Sequence, residues 1–251
     1  MSNHPADAPI RPAALVATLQ PWVEIAEAQH RRLLDFASPE DGWEILWVGA
    51  GAARAATWWA ARQGGHATAV DPDPGAIAWA QRAARGAGVG ARVTLQSGRA
   101  DDLPHTEAVF DLVVVSLLFD PGVDTDAAIR QAVRVVRPLQ TVVAAVPAWS
   151  GSPVEGVEAD LERVGVRPRF LTAWKQLARD AGLVEIAGEA VLRDGPWLAP
   201  GVIAAAARAF AVAGLAGVRA ALGRPVRTLR LLARRGAVGL AMVRGVRWPA
   251  A

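Results

Sequence analysis

From Trp43 onward, short apolar runs alternate with stretches of helical spacing, a rhythm that limits the chain to a parallel sheet whose strands are joined by crossover helices. The apolar runs predict strands near 44–48, 67–70, 92–96, 110–116, 141–146 and 183–187, and the segments between them predict helices near 53–63, 74–87, 124–136 and 172–181. Boundary residues agree: Asp124 and Thr172 suit N-caps, Pro74 a first helical turn and Gly182 a C-cap. The expected fold class is α/β, a doubly wound, mostly parallel sheet with helices on both faces. A helical N-terminal lid is expected over 1–42, the sheet domain over 43–199 and a basic helical extension over 200–251. Within the lid, a helix over 21–36 carries Ile25, Leu33 and Leu34, which can cover a sheet edge or a ligand.

With 52% hydrophobic and 20% charged residues, the 251-residue chain is neither a disordered segment nor a small disulfide scaffold. It contains no cysteine, which excludes disulfides, thiolate zinc sites, iron–sulfur clusters and a cysteine nucleophile; no metal ligand set is expected. The first 21 residues lack a basic cluster followed by an apolar core, so a cytoplasmic location is expected.

Charge is divided unevenly. Residues 1–190 carry 17 Lys+Arg against 23 Asp+Glu, a net of −6, whereas residues 191–251 carry ten Arg against the single Asp194, a net of +9. Only Lys175 is a lysine, so the positive charge is nearly all guanidinium, which forks onto carboxylates and phosphates. Residues 202–218 are apolar except for Arg208, but their Ala and Gly content makes a poor membrane span. Beyond Pro225 the segment reads as helical, with Arg227, Arg230 and Arg234 on one side and Leu229, Leu232 and Ala233 on another. The simplest reading is a solvated basic face over a packed helix; an alternative is contact with an anionic membrane surface, peripheral to its inner face. No RNA-binding module or aromatic-interleaved basic groove is present, which argues against nucleic acid.

The sharpest local signal is Glu44-Ile-Leu-Trp-Val-Gly-Ala-Gly-Ala-Ala-Arg54, an apolar strand running into Gly49, Ala50 and Gly51 and then a helix. Glycines at such a turn let main chain approach a ligand closely. Asp71 closes the next strand, where a carboxylate can accept both hydroxyl hydrogens of an adenosine ribose. A glycine pair alone is a weak signal and is also compatible with a tight strand-to-helix turn. A dinucleotide fingerprint would need a small residue at position 54, where Arg54 stands, and this disfavours a nicotinamide cofactor.

Taken with its neighbours, this stretch resembles the class I S-adenosylmethionine-dependent methyltransferases, in particular their small-molecule group, over roughly residues 33–190. Leu46-Trp-Val-Gly-Ala-Gly-Ala-Ala53 is similar to the family's first glycine motif and Val70-Asp-Pro-Asp-Pro74 to its acidic second-strand end. Ser97-Gly-Arg-Ala-Asp-Asp-Leu-Pro104 resembles the adenine-side loop, and Phe110-Asp-Leu-Val-Val-Val-Ser116 the fourth strand. Val133-Arg-Val-Val-Arg-Pro138 and the helix from Phe170 to Gly182 continue the order. The resemblance implies a Rossmann-like sheet of seven strands and S-adenosylmethionine as cofactor. It implies a binding set of Gly49, Ala50, Gly51, Asp71, Pro72, Ala100, Asp101 and Ser116.

Three departures bear on that set. Trp47 stands where the family has an acid for the methionine amine, Ala53 replaces the third glycine, and Arg99 replaces the adenine-loop acid, with Asp101 or Asp102 as substitutes. Ser116-Leu-Leu-Phe-Asp120 lacks the Asn/Asp-Pro-Pro-aromatic signature of amino methylation on nucleic acid or glutamine. The candidate catalytic residues are His105, as a proton acceptor or a loop histidine without a role, and Asp120, facing substrate or capping a loop. Among ten tryptophans, Trp58 and Trp59 are expected in the core and Trp149, Trp174 and Trp197 near substrate. The expected function is methyl transfer to oxygen or carbon of a small or lipid-like acceptor. The alternative is a methyltransferase fold without a cofactor site that serves as a binding or scaffold protein.

Overall fold

The computed structural model describes residues 32–49, 53–72, 74–116, 122–163, 165–190 and 223–249. Residues 32–37 form α1, followed by β1 (Glu44–Val48), α2 (Arg54–Arg62), β2 (His66–Asp71), α3 (Pro74–Gly86) and β3 (Val93–Ser97). The second half contributes β4 (Phe110–Ser116), α4 (Thr125–Val135), β5 (Val136–Trp149), α5 (Glu158–Arg163), α6 (Leu171–Asp180), β6 (Leu183–Ala190), α7 (Arg224–Arg234) and β7 (Val238–Arg247). The strands form one seven-stranded sheet in the order β3-β2-β1-β4-β5-β7-β6, in which β7 is antiparallel to both its neighbours and the first five strands are mutually parallel.

Strands β1, β2 and β4 are almost continuously apolar because both faces of the sheet are covered. Alternate residues of β1 divide between two cores. Leu46 and Val48 join Val113, Val115 and residues of α4 and α6 on one face. Ile45 and Trp47 join Leu112, Val114 and residues of α1, α2 and α3 on the other. Leu33 and Leu34 of α1 are buried in this second core with the central strands β1 and β4, not at a sheet edge; Ile25 lies outside the described residues. Trp59 is buried and Trp58 packs against the same cluster, which agrees with their expected place.

The N-cap expected at Asp124 is present: its Oδ1 accepts from the backbone N–H of Asp126 at 2.9 Å and of Ala127 at 3.0 Å. Thr172 is not a cap, because α6 begins one residue earlier with Phe170 as its N-cap. Strand β5 starts directly after α4 and is longer than the predicted 141–146. The segment 147–169, which follows the predicted strand 141–146, contains the end of β5 and all of α5.

The largest correction concerns the C-terminal region. Residues 238–247 are not helix but the strand β7, inserted between β5 and β6, so the sheet does not end at residue 199. Part of the basic excess is used here. Arg244 Nη1 donates to the Phe36 carbonyl at 2.9 Å and lies over the Phe36 ring. Arg247 Nη1 donates to the carbonyls of Arg134 at 2.9 Å and Val136 at 2.6 Å, while its other terminal nitrogen pairs with Glu107. These guanidinium groups tie strand ends to helix ends, which an unpaired basic appendage would not do.

Candidate functional site

Strand order reverses between β1 and β4, since the chain builds outward from β1 to β3 on one side and from β4 onward on the other. Open α/β sheets bind ligands at the carboxyl ends of the strands at such a reversal. Gly49 follows β1 at this point, with φ +68°, and its N–H donates to Val70 O on β2 at 3.0 Å. A Cβ on Gly49 would lie 2.3 Å from the backbone oxygen of Ser116, the last residue of β4. The glycine is therefore required by packing between the two strand ends. Asp71 closes β2 beside it at 7% exposure, and its carbonyl accepts from the Gly98 N–H at 3.2 Å. Gly49, Asp71, Pro72 and Ser116 thus lie along one edge of the sheet, as the glycine-turn reading requires. Ala50, Gly51, Asp120 and Trp197 lie outside the described residues.

The adenine-side loop departs from its expected use. Arg99 Nε donates to Asp101 Oδ1 at 2.8 Å and Nη2 to Oδ2 at 2.6 Å, a bidentate pair. The same Nη2 reaches the Gly122 carbonyl at 3.0 Å, and the Asp124 N–H donates to Asp101 Oδ2 at 2.9 Å. The Arg99 guanidinium holds the Asp101 carboxyl below its ordinary range. Asp101 therefore fastens this loop to the start of α4, which corrects its expected part as a free adenine acceptor. Ala100, between Arg99 and Asp101 in sequence, is buried in the core.

Two more arginines grip the same helix turn. Arg167 Nη1 donates to Val123 O at 2.5 Å, and Arg169 Nη2 donates to Asp126 Oδ1 at 2.6 Å and Thr125 Oγ1 at 3.2 Å. Three guanidinium groups from two loops thus fix the segment that follows β4. The sequence reading missed Arg167 and Arg169; their spacing of two, just before a helix, was the available signal.

His105 is not at the site. Its ring meets Phe110, the first residue of β4, edge-on at a centroid distance of 5.0 Å, and Arg134 at the end of α4 donates to its carbonyl at 2.6 Å. Phe110 and Ser116 stand at opposite ends of β4, about 20 Å apart at the usual rise of a strand. Neither ring nitrogen has a partner, and burial, with Arg134 adding to it, pushes the imidazole pKa down. Because the folded protein resists a proton that the unfolded chain accepts, this contribution to stability is complete above the ordinary histidine pKa and falls as pH drops below it. We expect His105→Phe to remove that slope. In thermal melts at pH 8 and pH 5.5, the parent should lose more melting temperature on acidification than the variant; equal losses would refute the assignment.

Trp174, expected near substrate, is a core residue at 2% exposure, with its Nε1–H donated to the Pro147 carbonyl at 2.8 Å and Arg169 over its ring. Trp149 packs on a small cluster under α5 and α7. Among the described residues no group of three or more His, Asp or Glu side chains could hold a metal ion.

Comparison with known proteins gives the following. A family model described as a methyltransferase domain matches residues 46–144. The search among curated proteins found no match. Among solved structures, the [4+2]-cyclase SpnF aligns with TM-score 0.73 and 18% identity over 99% of this chain and all of that one. Phosphoethanolamine N-methyltransferase 2 of Haemonchus contortus, solved with S-adenosylhomocysteine, aligns with TM-score 0.71 and 16% identity over 92% of this chain and 57% of its own. Geranyl diphosphate C-methyltransferase of Streptomyces coelicolor A3(2) gives 0.67 and 15% over 88% and 77%.

Proposed function

We propose that the chain, whose residues 46–144 match a methyltransferase-domain model and whose sheet has the class I S-adenosylmethionine-dependent fold, methylates oxygen or carbon of a small or lipid-like acceptor. The observation that carries this is the Gly49 turn packed on Ser116, with Asp71 beside it, at the point where strand order reverses. The family's cofactor, when bound, supplies an electrophilic methyl group on a sulfonium. Two features support the adenosyl half at this edge: Gly49 brings the ends of β1 and β4 together where strand order reverses, and the carboxylate residue Asp71 closes β2 beside them. On the methionine side Trp47 provides no acceptor, and loss of one hydrogen bond to a charged group costs about 1.5–3 kcal/mol, or roughly one to two powers of ten in affinity. The clamp of Arg99, Arg167 and Arg169 on α4 supports the reading, since methyl transfer depends on alignment more than on a dedicated base. No base is assigned, His105 being at the far edge. The acceptor class is supported by neighbours acting on geranyl diphosphate and by the absence of the amino-methylation signature after β4.

A second reading, a binding or scaffold protein, is favoured by Trp47 and by the Arg99–Asp101 pair in the adenine loop. Calorimetry and thermal shift with S-adenosylhomocysteine and S-adenosylmethionine separate the two. We expect heat and a raised melting temperature at up to millimolar ligand; no response to either ligand would establish the second reading.

A further inference from the structure

The orientation of α7 is fixed from below. Leu229 and Leu232 are buried with Leu161, Val166 and Val238, and the buried Asp160 carboxylate accepts from Arg224 Nε and Thr228 Oγ1, each at 2.8 Å. This leaves Arg227, Leu231, Arg234 and Arg235 exposed at helical spacing i, i+4, i+7 and i+8, a single stripe with Leu231, 48% exposed, inside it. Arg224, Arg244 and Arg247 have internal partners; among the described residues no carboxylate pairs with Arg227, Arg234 or Arg235. Residues 195–251 contain no acid at all.

Position matters as much as charge. The turn after α7 is bound to the end of β5, where the Ser150 N–H donates to Ala237 O at 3.0 Å and Val238 pairs with Trp149. That is the carboxyl edge of the parallel strands, where Gly49 and Ser116 also lie. Among the described residues no helix is long and apolar enough to cross a membrane.

We propose that this stripe of α7 docks on the surface of an anionic phospholipid bilayer and holds the crevice edge of the sheet against it. Guanidinium groups fork onto lipid phosphates, and Leu231 enters the boundary between headgroups and acyl chains. A nucleic acid offers the same phosphates, but Leu231 would then face a charged backbone, and the stripe has no aromatic ring on which a base could stack. The proposal deepens the reading of a lipid-like acceptor and rests on it, because a bilayer would present such an acceptor at this edge.

The test is co-sedimentation of the full chain with vesicles of phosphatidylcholine alone and of phosphatidylcholine mixed with phosphatidylglycerol, at low and high salt. We expect binding to the mixed vesicles only, weakened by salt. Arg227→Gln/Arg234→Gln/Arg235→Gln should lower partitioning roughly 100-fold, and Leu231→Asp should weaken it with the charges intact, both variants melting like the parent. Equal binding to both vesicle types, or unchanged binding by the triple variant, overturns the proposal, as does displacement of the protein from vesicles by generic RNA at low salt. Calorimetry with S-adenosylhomocysteine keeps the two failures apart. Vesicle binding without ligand heat refutes only the activity, and ligand heat without vesicle binding refutes only the surface.

Discussion

Gly49→Ala lowers stability by about 3 kcal/mol or more and abolishes binding of S-adenosylhomocysteine. Two independent costs add. At φ +68° an L-residue is left-handed, which costs roughly 1–2 kcal/mol. The new methyl would stand 2.3 Å from the Ser116 carbonyl oxygen, so β1 and β4 must separate at their ends, and overpacking of this kind costs about 1–3 kcal/mol. For a domain of this size the sum corresponds to a fall in melting temperature of roughly 10 °C. The same separation displaces the turn that would face the ligand. A variant that melts with the parent would show that the two strand ends do not meet as described.

Trp47→Asp restores the acid that the family carries at this position, and it is expected to unfold the protein. Trp47 is 1% exposed in the apolar cluster with Ile45, Trp59, Leu112 and Val114. Truncating a buried tryptophan costs about 3–5 kcal/mol, and a carboxylate left in the space adds a further burial cost. The total approaches the whole stability of an ordinary domain, about 5–15 kcal/mol. Circular dichroism melts of Trp47→Asp, with Trp47→Phe as a milder control, measure this. A folded Trp47→Asp that binds S-adenosylhomocysteine about tenfold more tightly would mean that the indole lines the crevice instead of the core. As the structure stands, the motif cannot be repaired by one substitution, because α1 and α2 pack around an aromatic residue.

Strands β1, β2 and β4 are legible in the sequence because each is a compact, mostly apolar run, β3 because Val93 and Leu95 alternate with polar residues, and the observed limits of all four lie within a residue of the predicted ones. β7 is not. Both its faces are buried, which removes the polar alternation, and its Ala, Gly and Met content gives little strand preference. Its β-branched residues Val238, Val243 and Val246 were the remaining signal. At the site, Gly49 and Asp71 are legible because they sit at strand ends, whose direction a parallel sheet fixes. His105 is not, because a loop that leaves the carboxyl edge of β3 must return along the sheet to the opposite edge before β4 begins, and Trp174 is not, because it falls on the buried face of α6. His105, five residues before Phe110, lies near the end of that return. The partner of Arg99 is likewise a matter of loop path: a cation in an adenine loop looks like an obstacle until it is seen to be neutralised two residues later.

The place of β7 has a consequence for biosynthesis. Its two neighbours, β5 and β6, are translated well before it, and neither can satisfy its open backbone edge with the other. A nascent chain emerging from the ribosome therefore displays two unpaired strand borders, one of them belonging to the 14-residue β5, until residue 247 has been made. Such borders are templates for aggregation, so the polypeptide should depend on holding chaperones during this interval more than a fold whose sheet grows from one side to the other.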